Sequence, residues 1–166
     1  MTISTSYSRS QTFWLVILRL LIGWHFLYEG LVKLISPSWT AYPYLMDSQG
    51  FLADMFHGIA QNSTLLDISN IINVYGLTLI GLCLILGSFA RIASAGGIVF
   101  LLLYYLSHPP YIGSDYMMPT EGSYLWIDKN VIEMGALMVL IYFPTSRIIG
   151  LDRYISRLTN RISKKA

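Results

Sequence analysis

Charge is what this sequence has least of. Only 12% of its residues are Asp, Glu, Lys or Arg, about half the share of an average soluble domain. Cysteine is nearly absent too. Cys83 stands alone, which excludes an internal disulfide and a dithiol redox pair, so the CxxC chemistry that drives some four-helix membrane enzymes is closed to it. Cys83 itself reads as a small core residue. No nucleotide-binding loop, GxSxG or HExxH motif is present. Low-complexity tracts, solenoid-period repeats and a basic aromatic surface suited to nucleic acid are missing as well. His57 has no partner at metal-ligand spacing. His25 and His108 differ in expected depth by roughly 10–15 Å at 1.5 Å per residue. No metal or haem site is therefore predicted.

What fills the chain instead is apolar sequence, 54% of 166 residues. The length suits one domain spanning 1–166. Four runs approach the roughly 20 residues needed to cross about 30 Å of hydrocarbon. They lie near 12–35, 70–89, 92–107 and 130–147. The predicted fold is all-α, a polytopic bundle of four transmembrane helices. Arg9, Arg91, Arg147, Arg153, Arg157, Arg161, Lys164 and Lys165 flank one side of these runs, opposed by Asp152 alone. Asp47, Asp54, Asp67, Asp115, Glu121 and Asp128 occupy the other two loops, against Lys129. The positive-inside rule then makes both termini cytoplasmic and both long loops external. The first run lacks a small-residue cleavage site and reads as an uncleaved anchor.

Both outer loops look folded. The first runs from Ser36 to Ser69 and carries Pro37, Trp39, Tyr42, Pro43 and Tyr44, aromatics that favour the membrane–water boundary. Within it, "GFLADMFHGIAQN" spaces Phe51, Leu52, Met55, Phe56 and Ile59 as a short interfacial amphipathic helix does. The second loop, "HPPYIGSDYMMPTEGSYLWIDKN", has three prolines and several aromatics and is expected to pack over the bundle mouth. The tail, 150–165, sets Arg153, Arg157 and Arg161 on one helical face, as for a basic helix lying on anionic lipid.

Against this background the first run is unusual. "LRLLIGWHFLYEGLVKL" carries Arg19, His25, Glu29 and Lys33. At 100° per residue these four share about a third of the helix circumference. The opposite side carries Trp24, Leu27, Tyr28 and Leu31 toward lipid or neighbours. Glu133 falls about one turn below the outer surface in the fourth run. Asn70, Asn73, Tyr104, Tyr105, His108, Asp128 and Asn130 also gather toward the outer side. Each charge at mid-bilayer costs roughly 2.5–3.5 kcal/mol on insertion scales. A Glu29–Lys33 pair at i, i+4 returns only about 0.2–0.5 kcal/mol in water. The expected outcome is a polar pocket in the outer half, with mutual pairing of these groups as the purely structural alternative. Small residues (Gly76, Gly81, Gly87, Ala90, Ala93, Ser94 and Gly97) mark close helix packing.

In order and spacing these segments resemble the DoxX/DoxD membrane family. Arg19, Gly23, Gly30 and Lys33 match its first-helix pattern. "PSWTAYPYLMDSQGFLADMFHGIAQN", "NVYGLTLIGLCLILGSFARIASAGG", "YYLSHPP" and "YLWIDKNVIEMGAL" resemble later parts of its DoxD branch. The resemblance covers about 18–149. It implies a four-helix bundle in a bacterial cytoplasmic (inner) membrane and a membrane subunit like that of thiosulfate:quinone oxidoreductase, which works with a partner subunit. The quinone would be a substrate. On that expectation His25, Glu29 and Glu133 exchange protons. Arg19, Lys33, Asn73, Tyr104 and His108 contact the quinone, the two cations offsetting charge on its reduced form. A small-solute transporter, in which a homodimer is expected, and a non-catalytic anchor or assembly subunit are the alternatives.

Overall fold

The computed structural model describes residues 7–111, 113–117 and 125–154. It contains α1 (Arg9–Ile35), α2 (Tyr42–Met46), α3 (Ala53–Gln61), α4 (Ser63–Leu86), α5 (Ala90–Ser107) and α6 (Lys129–Tyr142), followed by a 3-10 turn at Thr145–Arg147. Among the described residues there is no strand. Helices α1, α4, α5 and α6 form the bundle. Its loop end holds α2, α3 and the long connections. Its turn end holds the tight α4–α5 link.

Three helices, α1, α4 and α5, are long and apolar enough to cross a membrane. The fourth run falls short of its expected extent. α6 has 14 residues, against the roughly 20 that a span needs. Pro144 is the reason. It disfavours helical backbone at Phe143, and the apolar run from 130 to 147 hides that break. The other boundaries shift where polar caps outweigh hydropathy. Ser8 and Gln11 form a capping box, so α1 starts before Thr12. Asn62 accepts from Leu65 N, so α4 begins at Ser63 rather than near 70. At its far end Gly87 adopts φ +64°, a left-handed cap that glycine takes without Cβ strain.

Close backbone contact joins α1 to α4. A Cβ on Gly81 would lie 2.6 Å from Leu27 Cα and 2.7 Å from the Gly23 carbonyl oxygen. One on Gly30 would meet Thr78 N at 2.5 Å. Lipid offers apolar surface as good as another helix does, so such intimate packing of small residues is what holds membrane helices together. Around this seam pack Ile22, Phe26, Leu77, Leu84, Ala93, Leu101, Leu137 and Leu140. Opposite, Trp24, Tyr28 and Leu31 are exposed, as expected, but Leu27 is buried.

The first loop is folded. α3 lies within the stretch expected to be an interfacial helix, and it buries Phe56 and Ala60 against Ala41 and Leu45. Phe51 and Met55 stay exposed. α2 has only 5 residues, too few for a periodicity to be seen. At the turn end the chain after α6 returns to the α4–α5 link. Leu151 N and Asp152 N donate to the Leu86 and Gly87 carbonyls at 3.1 and 2.9 Å. The Asp152 carboxylate accepts from Phe89 N at 2.7 Å and Ala90 N at 3.3 Å, anchoring the first turn of α5. The expected basic helix over 150–165 lies mostly outside the described residues, Arg157 and Arg161 included.

The α1–α4 seam yields a contrast that can be measured. Gly81→Leu should prevent folding or lower stability by at least about 1–3 kcal/mol, the cost of overpacking. Gly135→Ala, where an added Cβ meets nothing within 4 Å, should be neutral or stabilising by about 0.5–1 kcal/mol. Thermal unfolding in detergent, followed by tryptophan fluorescence, distinguishes the two.

Candidate functional site

The polar residues of α1 divide among three neighbours. Lys33, near the loop end, faces α4 and α5. Its ammonium donates to Asn73 Oδ1 at 3.3 Å. It lies 3.7 Å from Glu29 Oε2. The rings of Trp39 and Tyr104 flank it at 5.2 and 5.6 Å, within cation–π range. The Tyr104 hydroxyl donates to the same Asn73 oxygen at 2.6 Å. One amide oxygen thus ties α1, α4 and α5 together. Glu29 sits at the rim, its side chain about half exposed.

Aromatic stacking joins this cluster to the loops. The Tyr44 hydroxyl donates to the Tyr104 carbonyl at 3.4 Å. The Tyr44 ring stacks on His108 at 4.0 Å, and His108 lies 4.7 Å from the Tyr116 ring. His108 Nε2 is 3.6 Å from Asp47 Oδ2. The other Asp47 oxygen accepts from Met117 N at 3.0 Å. Ser48 Oγ donates to the Ser107 carbonyl at 2.8 Å, and Asn70 Oδ1 accepts from Ala41 N at 2.8 Å. The loops are therefore laced onto the bundle, as the prolines and aromatics suggested. Burial pushes the His108 imidazole below its ordinary value, against the opposing pull of Asp47. Burial likewise pushes the Tyr116 phenol up.

His25 faces α6 instead. Its Nδ1 lies 2.9 Å from Glu133 Oε1. The Glu133 side chain is 10% exposed and the His25 side chain 32%. Glu133 Oε2 is buried with no hydrogen-bond partner. Among the described residues this carboxylate oxygen is unpaired, which is costly for a buried polar atom. Along the chain His25 is eight residues from Lys33, about 12 Å of helix, so the pair is separate from the Asn73 cluster.

Arg19 stands apart from the other polar residues of α1. It shares a wheel direction with Lys33 but lies about 21 Å away along α1. Its side chain is buried at the turn end, where Nη1 donates to Thr145 Oγ1 at 3.4 Å. A Cβ on Gly87 would come within 2.9 Å of the same nitrogen. Asp152 acts on it electrostatically. Arg19 therefore belongs to the knot that closes the turn end and not to a pocket with Lys33, Asn73, Tyr104 and His108.

Sequence reasoning missed a groove. α1 packs along α4 for much of its length and touches α6 at few points. Where they part, near the turn end, lies a cavity of about 480 Å³. Tyr7, Ser10, Gln11, Trp14, Leu15 and Leu18 line it with Val139 and Phe143. Among the described residues no charged side chain lines it. Tyr44 and Asp47 were passed over as site residues because α2 is too short to have a face.

A family model described as DoxX matches residues 14–109, over half of the chain, and the chain belongs to that family. No curated protein and no solved structure matches it.

The stacked imidazole gives the loop end a pH dependence. A folded-state pKa below the unfolded value means that the stabilisation is complete above about pH 6.5. It is lost as pH falls through the folded-state value. Hydrogen-exchange protection factors, referred to the intrinsic rate at each pH, should therefore fall across 41–48 and 113–117 between pH 7.5 and 5. His108→Phe, which keeps the stack, should remove most of that change.

Proposed function

We propose that this DoxX-family membrane protein is the quinone-binding subunit of a membrane oxidoreductase, with His25 and Glu133 facing the quinone head. The observation that carries the reading is the His25–Glu133 contact at 2.9 Å, with Glu133 Oε2 buried and unpaired beside it. Intramembrane ionisable groups are functional by default because of what they cost. Here the acid and the imidazole come from different helices, at a seam that is otherwise loosely packed.

Reducing a quinone to a quinol takes up two electrons and two protons, and the quinone supplies that redox chemistry when bound. The residues of this chain supply protons and orientation. With Glu133 ionised, His25 Nδ1–H donates to Oε1 and leaves Nε2 as an acceptor. When the imidazole takes a proton, Nε2–H becomes a donor and the carboxylate offsets its charge. Such a pair can hand a proton to a carbonyl oxygen and be recharged. The sequence has no motif for a redox cofactor of its own. Electrons then come from a partner subunit or directly from a small reductant.

Lys33, Asn73, Tyr104 and His108 direct their polar atoms largely at one another and at nearby loops. Their role in this account is to fix α1 in rotation and to seat the loops. By the charge bias the loop end faces outward and both termini face the cytoplasm of a bacterial cell. α6, short as a regular helix, crosses with the help of the segment after Pro144.

Wild-type protein purified from its own membranes should carry extractable quinone. Glu133→Gln and His25→Phe should cut that content at least about tenfold, and slow quinol formation by about 10²–10⁴. Their melting temperatures should stay close to wild type. Quinone-free wild-type protein, with no quinol formed by membranes rich in it, contradicts the proposal. Loss of folded protein in both variants would mark the pair as an interhelical tie only.

A further inference from the structure

We infer that the ligand of the His25–Glu133 pair is a long-tailed amphipath that enters from the bilayer, its apolar chain lying in the α1/α6 groove. The inference rests on the reading that this pair faces a quinone head, and it adds a tail site and an entry route.

Three observations point the same way. The groove and the pair lie on one seam. Leu18 is seven residues from His25 along α1, about 10.5 Å, and Val139 is six residues from Glu133 along α6, about 9 Å. Between them on α6 stands Ala136, partly buried against the core. The groove's size, about 480 Å³, is within the roughly 300–1,000 Å³ of small-molecule sites. Its lining is apolar around Trp14, Leu15, Leu18, Val139 and Phe143, with Tyr7, Ser10 and Gln11 as its polar residues. A phospholipid headgroup would find no cation in that lining, whereas a hydrocarbon chain finds walls that match it.

The two ends complement each other. Glu133 Oε2 is buried, unpaired and able to meet a polar head. The groove offers mostly apolar surface, its polar side chains being Tyr7, Ser10 and Gln11 around the start of α1, farthest along that helix from His25. A ligand with one small polar end and one long apolar end satisfies both. Entry along this seam also explains how the loop end can stay closed. There Tyr44, His108 and Tyr116 stack, and Asn73 already accepts from Lys33 and Tyr104.

Trp14 provides a reporter, because it lines the groove and a bound quinone quenches a nearby indole. Purified protein in lipid nanodiscs is titrated with a long-chain prenylated quinone and with the same quinone lacking its tail. The long-chain form should bind at least about tenfold more tightly, the effect of burying roughly two methylenes. It should quench Trp14 fluorescence, and that part of the signal should vanish in Trp14→Phe. Leu15→Phe combined with Val139→Phe fills the groove and should abolish the advantage of the tail. Binding of the tail-less form should survive that change and weaken with Glu133→Gln. If the tail advantage persists in the filled groove, or Trp14 is not quenched, the tail site is overturned while the head site stands. If neither quinone binds, the head site fails and the inference with it. If the groove proves to be covered by a second copy of the chain, shown by Trp14-to-Trp14 proximity in a dimer, the tail site is likewise overturned.

Discussion

The backbone contact between α1 and α4 decides the rest of the structure. Gly23, Gly30 and Gly81 let the two helices meet with no side chain between them. That contact fixes the rotation of α1. Once α1 is set, Lys33 meets Asn73, His25 turns to α6, and Arg19 drops into the turn-end knot. A bulkier residue at any of these glycines would force a translation or rotation, and all three polar alignments would change together. In a bilayer, where burying apolar surface gives no general advantage, few other contacts could impose so definite an orientation.

The polar groups then separate into two kinds. Lys33, Asn73 and Tyr104 converge on one amide oxygen and bind three helices to each other. Arg19 and Asp152 work similarly at the opposite end, the one beneath Gly87 and the other on the first turn of α5. Polar pairings of this kind lend specificity to a bundle whose apolar contacts are interchangeable, although among the described residues Arg19 Nε is buried without a partner. The His25–Glu133 pair differs in joining a nearly buried carboxylate to an imidazole that is about one-third exposed, with Glu133 Oε2 unpartnered among the described residues. It joins α1 to α6 on the seam that also carries the groove.

Much of the fold was legible. Three long apolar runs became α1, α4 and α5, and the prolines and aromatics of the first loop foretold an ordered cover. The failures have definite causes. Pro144 sits inside an apolar run, so hydropathy carried the fourth helix past its break. The polar stretch from Ser63 to Ser69 reads as a loop by composition, yet the Asn62 cap starts α4 there. A helical wheel places Arg19, Lys33, Glu29 and His25 on one face, but it carries no depth and names no partner. Depth alone takes Arg19 out of the group. Choosing α6 as the partner of His25 requires the α1 rotation, which depends on contacts across the bundle. The groove depends on how far two helices splay, a quantity the sequence does not encode locally.

The central claim is that the His25–Glu133 pair is where this protein meets its ligand. It is tested most directly by a structure of the protein in lipid with a long-chain quinone bound. The account predicts the quinone head within hydrogen-bond distance of His25 or Glu133 and its chain along Leu18 and Val139. Density for the head beneath the loops, against Lys33 and Tyr104, would contradict it, as would a groove occupied only by ordinary lipid chains with the pair left dry.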